Sequence, residues 1–480
     1  MKSPSLKICL AFALMLFFTF VFVQTSKALN TQRRASYQYV KLQGRQLMVD
    51  FNMDGAYEKY IVKGVDYQPF PIGGYYLYPW GTCQILDENT GAAACEPNTL
   101  VPSLYNRSTL LDRDFQNLVF MSANTIRTWT KVTQTLLDKA NQYGIKVIAG
   151  YPMNPLAIDL TNQTQRNQAK AAFRSYVAQF KNDPAILFWA IGNENNYQLT
   201  NIQKTSWYSL INEMAGEAHA EEGVYAHPVA VVNGEITDIG QCGQTVNHQN
   251  FGTCDSNLSN LDIWGANVYR GQTFTNLFTD YESKTSKPFW ISEYGTDAYF
   301  TVDTQNPSFG YEDQALQALW DRSLWDEIMN NNSIVINNPW RGYPGYCIGA
   351  TIMAYSDEWW KAVSGFPGSL QHDPQGFYKL GNAPDNYFNE EWWGLYSVTN
   401  NSSANDILTP RQAVSDLKKR FQCVNTTNNT YYYAGSDNGK SCDGTEACCP
   451  TRWHRAKNNQ CARACTLTPI SVPFPIHWPP

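Results

Sequence analysis

Two glutamates each close an apolar run. Phe188-Trp189-Ala190-Ile191-Gly192-Asn193 leads into Glu194, and Phe289-Trp290-Ile291-Ser292 leads into Glu293. If both runs are strands of one sheet, the two carboxyl groups can meet at one end of it. Such a pair suits glycoside chemistry: one acid protonates the leaving oxygen while the other carboxylate attacks the anomeric carbon, or activates a water that does so. Helix capping or loop ion pairing is the plain structural alternative. The expected roles are acid/base for Glu194 and nucleophile for Glu293. Arg127 follows Asn124-Thr125-Ile126, at the end of a second candidate strand, and would keep a nucleophilic carboxylate ionised. Tyr269 would donate to the same carboxylate, and Asn193 would reach a sugar 2-hydroxyl. A structural salt bridge and a satisfied buried hydroxyl are the alternatives for Arg127 and Tyr269. Trp359, in Asp357-Glu358-Trp359-Trp360, either floors a sugar site or simply packs.

Other chemistries find no support. The histidines show no metal-ligand spacing, so neither a metal nor another cofactor is expected. There is no Gly-x-Ser-x-Gly elbow, and no glycine-rich phosphate loop follows a strand. The net charge of −6 comes with no basic stripe, which excludes nucleic acid as a natural partner. A neutral polysaccharide such as β-glucan fits better. The 15 Trp and 29 Tyr exceed what a core requires, and flat rings suit the apolar faces of sugars.

The elements that must position these residues alternate. Apolar runs at Ile61–Tyr67, Asn124–Trp129, Ile145–Gly150, Ile186–Ile191, His227–Val232, Leu261–Val268, Pro288–Ser292 and Tyr346–Tyr355 predict eight strands. Helical stretches lie between most of them, at Asp112–Phe120, Gln134–Tyr143, Asn167–Phe180, Trp207–Ala220, Thr275–Ser283 and Glu312–Met329. Eight such units predict an α/β fold, a (β/α)8 TIM barrel with its site at the C-terminal strand ends. An open doubly wound sheet is the second choice.

Around the barrel the chain divides. Residues 1–28 read as a signal peptide: Lys2 and Lys7 precede the apolar run Ile8–Val23, which is short of the ~20 residues a membrane span needs. No other segment is long and apolar enough to span, so a secreted protein of the extracellular space or cell wall is expected. Residues 29–420 form the catalytic domain, with 29–57 as a lead-in, 421–466 a small disulfide-rich module and 467–480 a Pro-rich tail. Twelve cysteines fit an oxidising compartment. Cys83 with Cys95, and Cys242 with Cys254, look like local loop staples, and Cys347 is the odd one out, a buried free thiol. Eight sequons, at Asn106, Asn162, Asn257, Asn331, Asn400, Asn401, Asn425 and Asn428, agree with secretion.

The paired glutamates with Ser292-Glu293-Tyr294-Gly295 resemble glycoside hydrolase clan A. More narrowly, Lys63-Gly64-Val65-Asp66-Tyr67-Gln68-Pro69, Asn124-Thr125-Ile126-Arg127 and Gly192-Asn193-Glu194 resemble the fungal β-1,3-glucanosyltransferases, family 72. The resemblance covers residues 58–300 in motif order. Barrel domains of β-galactosidase and β-glucuronidase relatives are a looser likeness. The family-72 resemblance implies double displacement on β-1,3-glucan with transfer to another glucan, and contacts from Gln68, Asn193 and Tyr269 to sugar or nucleophile. Trp129, where that family usually has Tyr, is a further supporting candidate, and Asn195-Asn196-Tyr197 departs from the expected loop. A clan A hydrolase using water, or an inactive carbohydrate-binding wall glycoprotein, are the competing expectations.

Overall fold

A computed structural model describes residues 37–68, 108–243, 250–302, 310–333, 345–361, 382–399 and 406–422, with residues 72, 75–76, 84–85 and 377–379 between them. The signal peptide, Cys83, Cys95, five of the sequons and the Cys-rich module lie outside these residues.

Eight parallel strands close into a barrel: β1 (Val62–Asp66), β2 (Thr125–Arg127), β3 (Lys146–Tyr151), β4 (Ile186–Ile191), β5 (Val229–Gly234), β6 (Ile263–Asn267), β7 (Phe289–Glu293) and β8 (Cys347–Ile352). Each pairs with the next, and β8 returns to β1 through Gly349↔Val62 to Ile352↔Val65. The helices are α1 (Ser108–Phe120), α2 (Gln134–Tyr143), α3 (Gln163–Phe180), α4 (Asn201–Glu222), α5 (Leu277–Lys284), α6 (Gln314–Asn330) and α7 (Gln412–Gln422). Local chemistry sets their limits. Thr133 caps α2 by accepting from Leu136 N, and Gly144 ends it in the left-handed region at φ 70°. Thr200 and Gln203 form a capping box at the start of α4.

Two apolar layers hold the barrel. Trp189, Trp264 and Ile291 face the helices, beside Trp207 and Tyr281. Phe188, Trp290, Ile148 and Ile348 fill the interior. The lead-in is a structural part of the fold. Strands at Val40–Gln43, Gln46–Val49 and Glu58–Tyr60 form an antiparallel sheet. Its Val40, Leu47, Val49 and Tyr60 join the interior cluster.

The C-terminal limit also moves. Helix α7 runs to Gln422, and Phe421 is fully buried against Trp325 of α6. Lys63 Nζ of β1 donates to Phe421 O at 2.9 Å, and Arg420 grips Asp326 through two bonds. A boundary at residue 420 therefore cuts into the barrel's own packing. Cys242 and Cys254 are disulfide-bonded in the β5–β6 connection, and Cys347 is free and buried.

Candidate active site

The C-terminal strand ends come level, which is what assembles the site. Asp66 of β1 lies opposite Arg127 of β2, and Asn267 of β6 opposite Glu293 of β7. On β7, Trp290 points into the barrel, so strict alternation would send Glu293 out towards the helices. The register instead shifts at this point: Ala266 pairs with Ile291 and Asn267 with Glu293, leaving Ser292 as an extra residue. That bulge re-aims Glu293 to the mouth.

Glu293 is 5% exposed and held on both oxygens. Arg127 Nη1 donates to Oε1 at 2.7 Å, Trp129 Nε1 to the same oxygen at 2.9 Å, and Tyr269 OH to Oε2 at 2.9 Å. Three donors aimed at one carboxyl group suit its ionised form. The Arg127 guanidinium is itself fixed. It lies 4.8 Å from the centre of the Trp129 ring and 5.7 Å from that of Trp290, and also reaches Asp66 Oδ1 at 3.4 Å. Burial pushes the Asp66 carboxyl well above its usual range, against the pull of Arg127. Burial, with the Glu293 charge, also raises the Tyr269 hydroxyl far above its usual range, so Tyr269 remains a donor.

Glu194 is held differently. Gly192, at φ 71°, starts the turn, and a side chain there would strike Asn195 Oδ1 at 2.1 Å. Glu194 follows in the left-handed region at φ 51°. It precedes the single helical turn Asn195–Gln198 yet makes no side-chain cap bond, so capping does not explain it. One donor, Asn267 Nδ2, reaches its Oε1 at 3.0 Å. Burial, then the Glu293 charge, raises Glu194 from 4.5 to about 7.

Asn193 links the two glutamates' surroundings. Its Oδ1 accepts from Arg127 Nη2 at 2.7 Å and from Asn267 Nδ2 at 3.1 Å. Among the described residues nothing accepts from the side-chain N–H groups of Asn193. Gln68 is buried just past β1, with no hydrogen bond to either glutamate among the described residues. Trp359 sits buried in the turn Trp359–Lys361 beyond β8. Trp393 meets the Tyr269 ring edge-on at 5.1 Å.

Three participants escape a motif reading. Asn267 ends a strand in an unremarkable Gly265-Ala266-Asn267, and Asp66 is one polar residue within a run. Trp393 comes from a segment well past the eighth strand. There, Ala354 N donates to Trp393 O at 3.0 Å, and Leu395 N to Ala354 O at 2.8 Å. Arg411 pins that segment through Asp357, at 2.5 and 2.7 Å. Only the doublet Trp392-Trp393 hints at it in the sequence.

Fold and site together resemble the glycoside-hydrolase barrels of clan A. Within that class, residues 107–341 match the family described as glycosyl hydrolases family 2, TIM barrel domain. The match goes to family 2 and does not extend to the family-72 likeness of the motifs. Solved structures of similar fold include a GH2 β-galacturonidase from Eisenbergiella tayi, at 14% identity and TM-score 0.47, covering 82% of this chain and 55% of that one. A β-glucuronidase from Bifidobacterium dentium gives 16% identity and TM-score 0.49, covering 82% and 50%. The chain thus spans about half the length of these structures. No curated protein matches it. Among the described residues no helix is long and apolar enough to cross a membrane.

Proposed function

We propose that the chain is a retaining β-glycosidase working by double displacement, with Glu293 as nucleophile and Glu194 as acid/base. One observation carries this: the two carboxyl groups share a mouth but have opposite surroundings. Among the described residues Glu293 is surrounded by three donors, whereas Glu194 has one and is pushed to about 7. A carboxyl raised in this way suits the acid, and one gripped by three donors suits the nucleophile. In the first step Glu194 gives its proton to the glycosidic oxygen as Glu293 attacks the anomeric carbon. Arg127, Trp129 and Tyr269 hold the attacking oxygens in line. In the second step Glu194, now ionised, takes a proton from the incoming hydroxyl, which displaces Glu293.

The test is Glu293→Ala with added azide. The variant should lose turnover, and azide should restore part of it with inverted product, because it fills the gap and attacks directly. A product of retained configuration would remove Glu293 from the nucleophile role.

A neutral β-glucan is the preferred substrate. The motif likeness to β-1,3-glucanosyltransferases supports it, as does the scarcity of basic residues: none lies between Gln68 and Arg107 in the sequence that follows β1. Transfer to a second sugar is the finer reading, tested by products longer than the starting oligosaccharide. Secretion is supported by the N-terminal apolar run and by exposed sequon residues Asn162 and Asn257. Ser333, in the sequon of Asn331, is fully buried, which disfavours that one in the folded chain.

A further inference from the structure

Tyr197 combines exposure with a fixed position, which is unusual for a large ring. It is 61% exposed, three residues beyond Glu194. Its turn is tied to the end of β5 by a reciprocal pair: Asn196 Nδ2 donates to Gly234 O at 2.9 Å, and Gly234 N to Asn196 Oδ1 at 2.8 Å. Tyr197 N donates to Glu194 O at 3.0 Å. The ring lies directly on Gly234, where an added Cβ would come within 1.9 Å of Tyr197 Cε2. Glycine here is what lets the ring lie down. Beside this turn packs the short helix Pro155–Ala157, whose Leu156 is also 61% exposed.

Three other described aromatic residues near the strand ends are less available. Tyr294 is fully buried, Trp359 nearly so, and Tyr299 packs on Trp392. We propose that the Tyr197 ring, backed by Gly234, is the platform on which the leaving-group sugar stacks, and on which an acceptor sugar is later held. The assignment rests on Glu194 being the acid. An acid must stand beside the glycosidic oxygen, so the sugar beyond that oxygen lies on the Glu194 side of the mouth. A pre-placed ring loses little freedom on binding, and the apolar face of a β-linked sugar covers it.

The experiment compares kcat/KM on two substrates of one glycone: the best-cleaved member of a panel of β-glycan oligosaccharides, and the matching glycosyl fluoride, which has no leaving sugar. Tyr197→Ala should lose about tenfold or more on the oligosaccharide and no more than about twofold on the fluoride, and Tyr197→Trp should recover the loss. Gly234→Ala, which displaces the ring, should reproduce the selective loss in the natural background and add nothing to Tyr197→Ala. Equal losses on both substrates, or no loss on the oligosaccharide, would overturn the platform while leaving the glutamate pair intact. A natural chain that turns over neither substrate would instead sink the glycosidase reading, and the platform with it.

Discussion

At the scale of single residues, Glu194 makes two separable predictions. Because it must carry a proton to act as acid, kcat/KM on unactivated glycosides should fall as pH rises through about 7. Glu194→Gln should cost on the order of 10²–10⁴-fold on such substrates and much less on aryl glycosides, whose leaving groups need no proton. An equal cost on both would remove Glu194 from that role. The same carboxyl acts on stability. Its folded value is raised from 4.5 to about 7, so between these values the folded chain binds more protons than the unfolded one. Stability should therefore be greatest below that window and decline as pH rises across it. Glu358 is raised to about 7 as well, so the comparison needed is natural chain against Glu194→Gln. The variant's Tm advantage should grow from pH 4 to pH 8, and a pH-independent difference would contradict the raised value. Tyr269→Phe removes one of the three donors to Glu293. A hydrogen bond to a charged group contributes about 1.5–3 kcal/mol, so a loss of roughly 10–100-fold in kcat is expected.

At the scale of elements, the C-terminal limit is open to a simple measurement. Helix α7 inserts Phe421 into the packing against α6 and is anchored by Lys63 and Arg420. A chain ending at Gln422 should keep a cooperative unfolding transition, whereas one ending at Gln412 should not. Phe→Ala in a full core costs about 3–5 kcal/mol, and removing the helix costs more. Identical melting of the two would show that α7 is dispensable. Strands such as β4 were readable in the sequence, because a strand buried on both faces is a continuous apolar run; β4 was found at both ends, whereas β1 (Val62-Lys63-Gly64-Val65-Asp66) and β2 (Thr125-Ile126-Arg127) carry a weaker signal. The two glutamates were readable for the same reason, as lone charges after such runs. Trp393 and Asn267 were not, because each depends on tertiary pairing: one arrives on a segment stitched to Ala354, the other through a register shift with β7. The lead-in carried no sign of its own sheet, because its short strands pair antiparallel and form no barrel strand.

At the scale of the whole molecule, the barrel separates its duties. The mouth holds the charges, and the N-terminal sheet joins the interior cluster through Leu47, Val49 and Tyr60. In such barrels residues of the lower face serve stability. Leu47→Ala should therefore cost about 2–5 kcal/mol in denaturant unfolding while leaving kcat at temperatures well below Tm within about twofold. A fall in kcat with unchanged stability would show that the sheet reaches the chemistry. Cys347 gives the barrel a further property. It sits inside β8, fully buried, its Sγ against Gly349 O and its thiol pushed up to about 12 by burial. Thiol reagents attack the thiolate and need access to it, so the closed molecule should ignore them. Cys347 is therefore a built-in clock: the rate at which its own peptide gains the label's mass times how often the staves part.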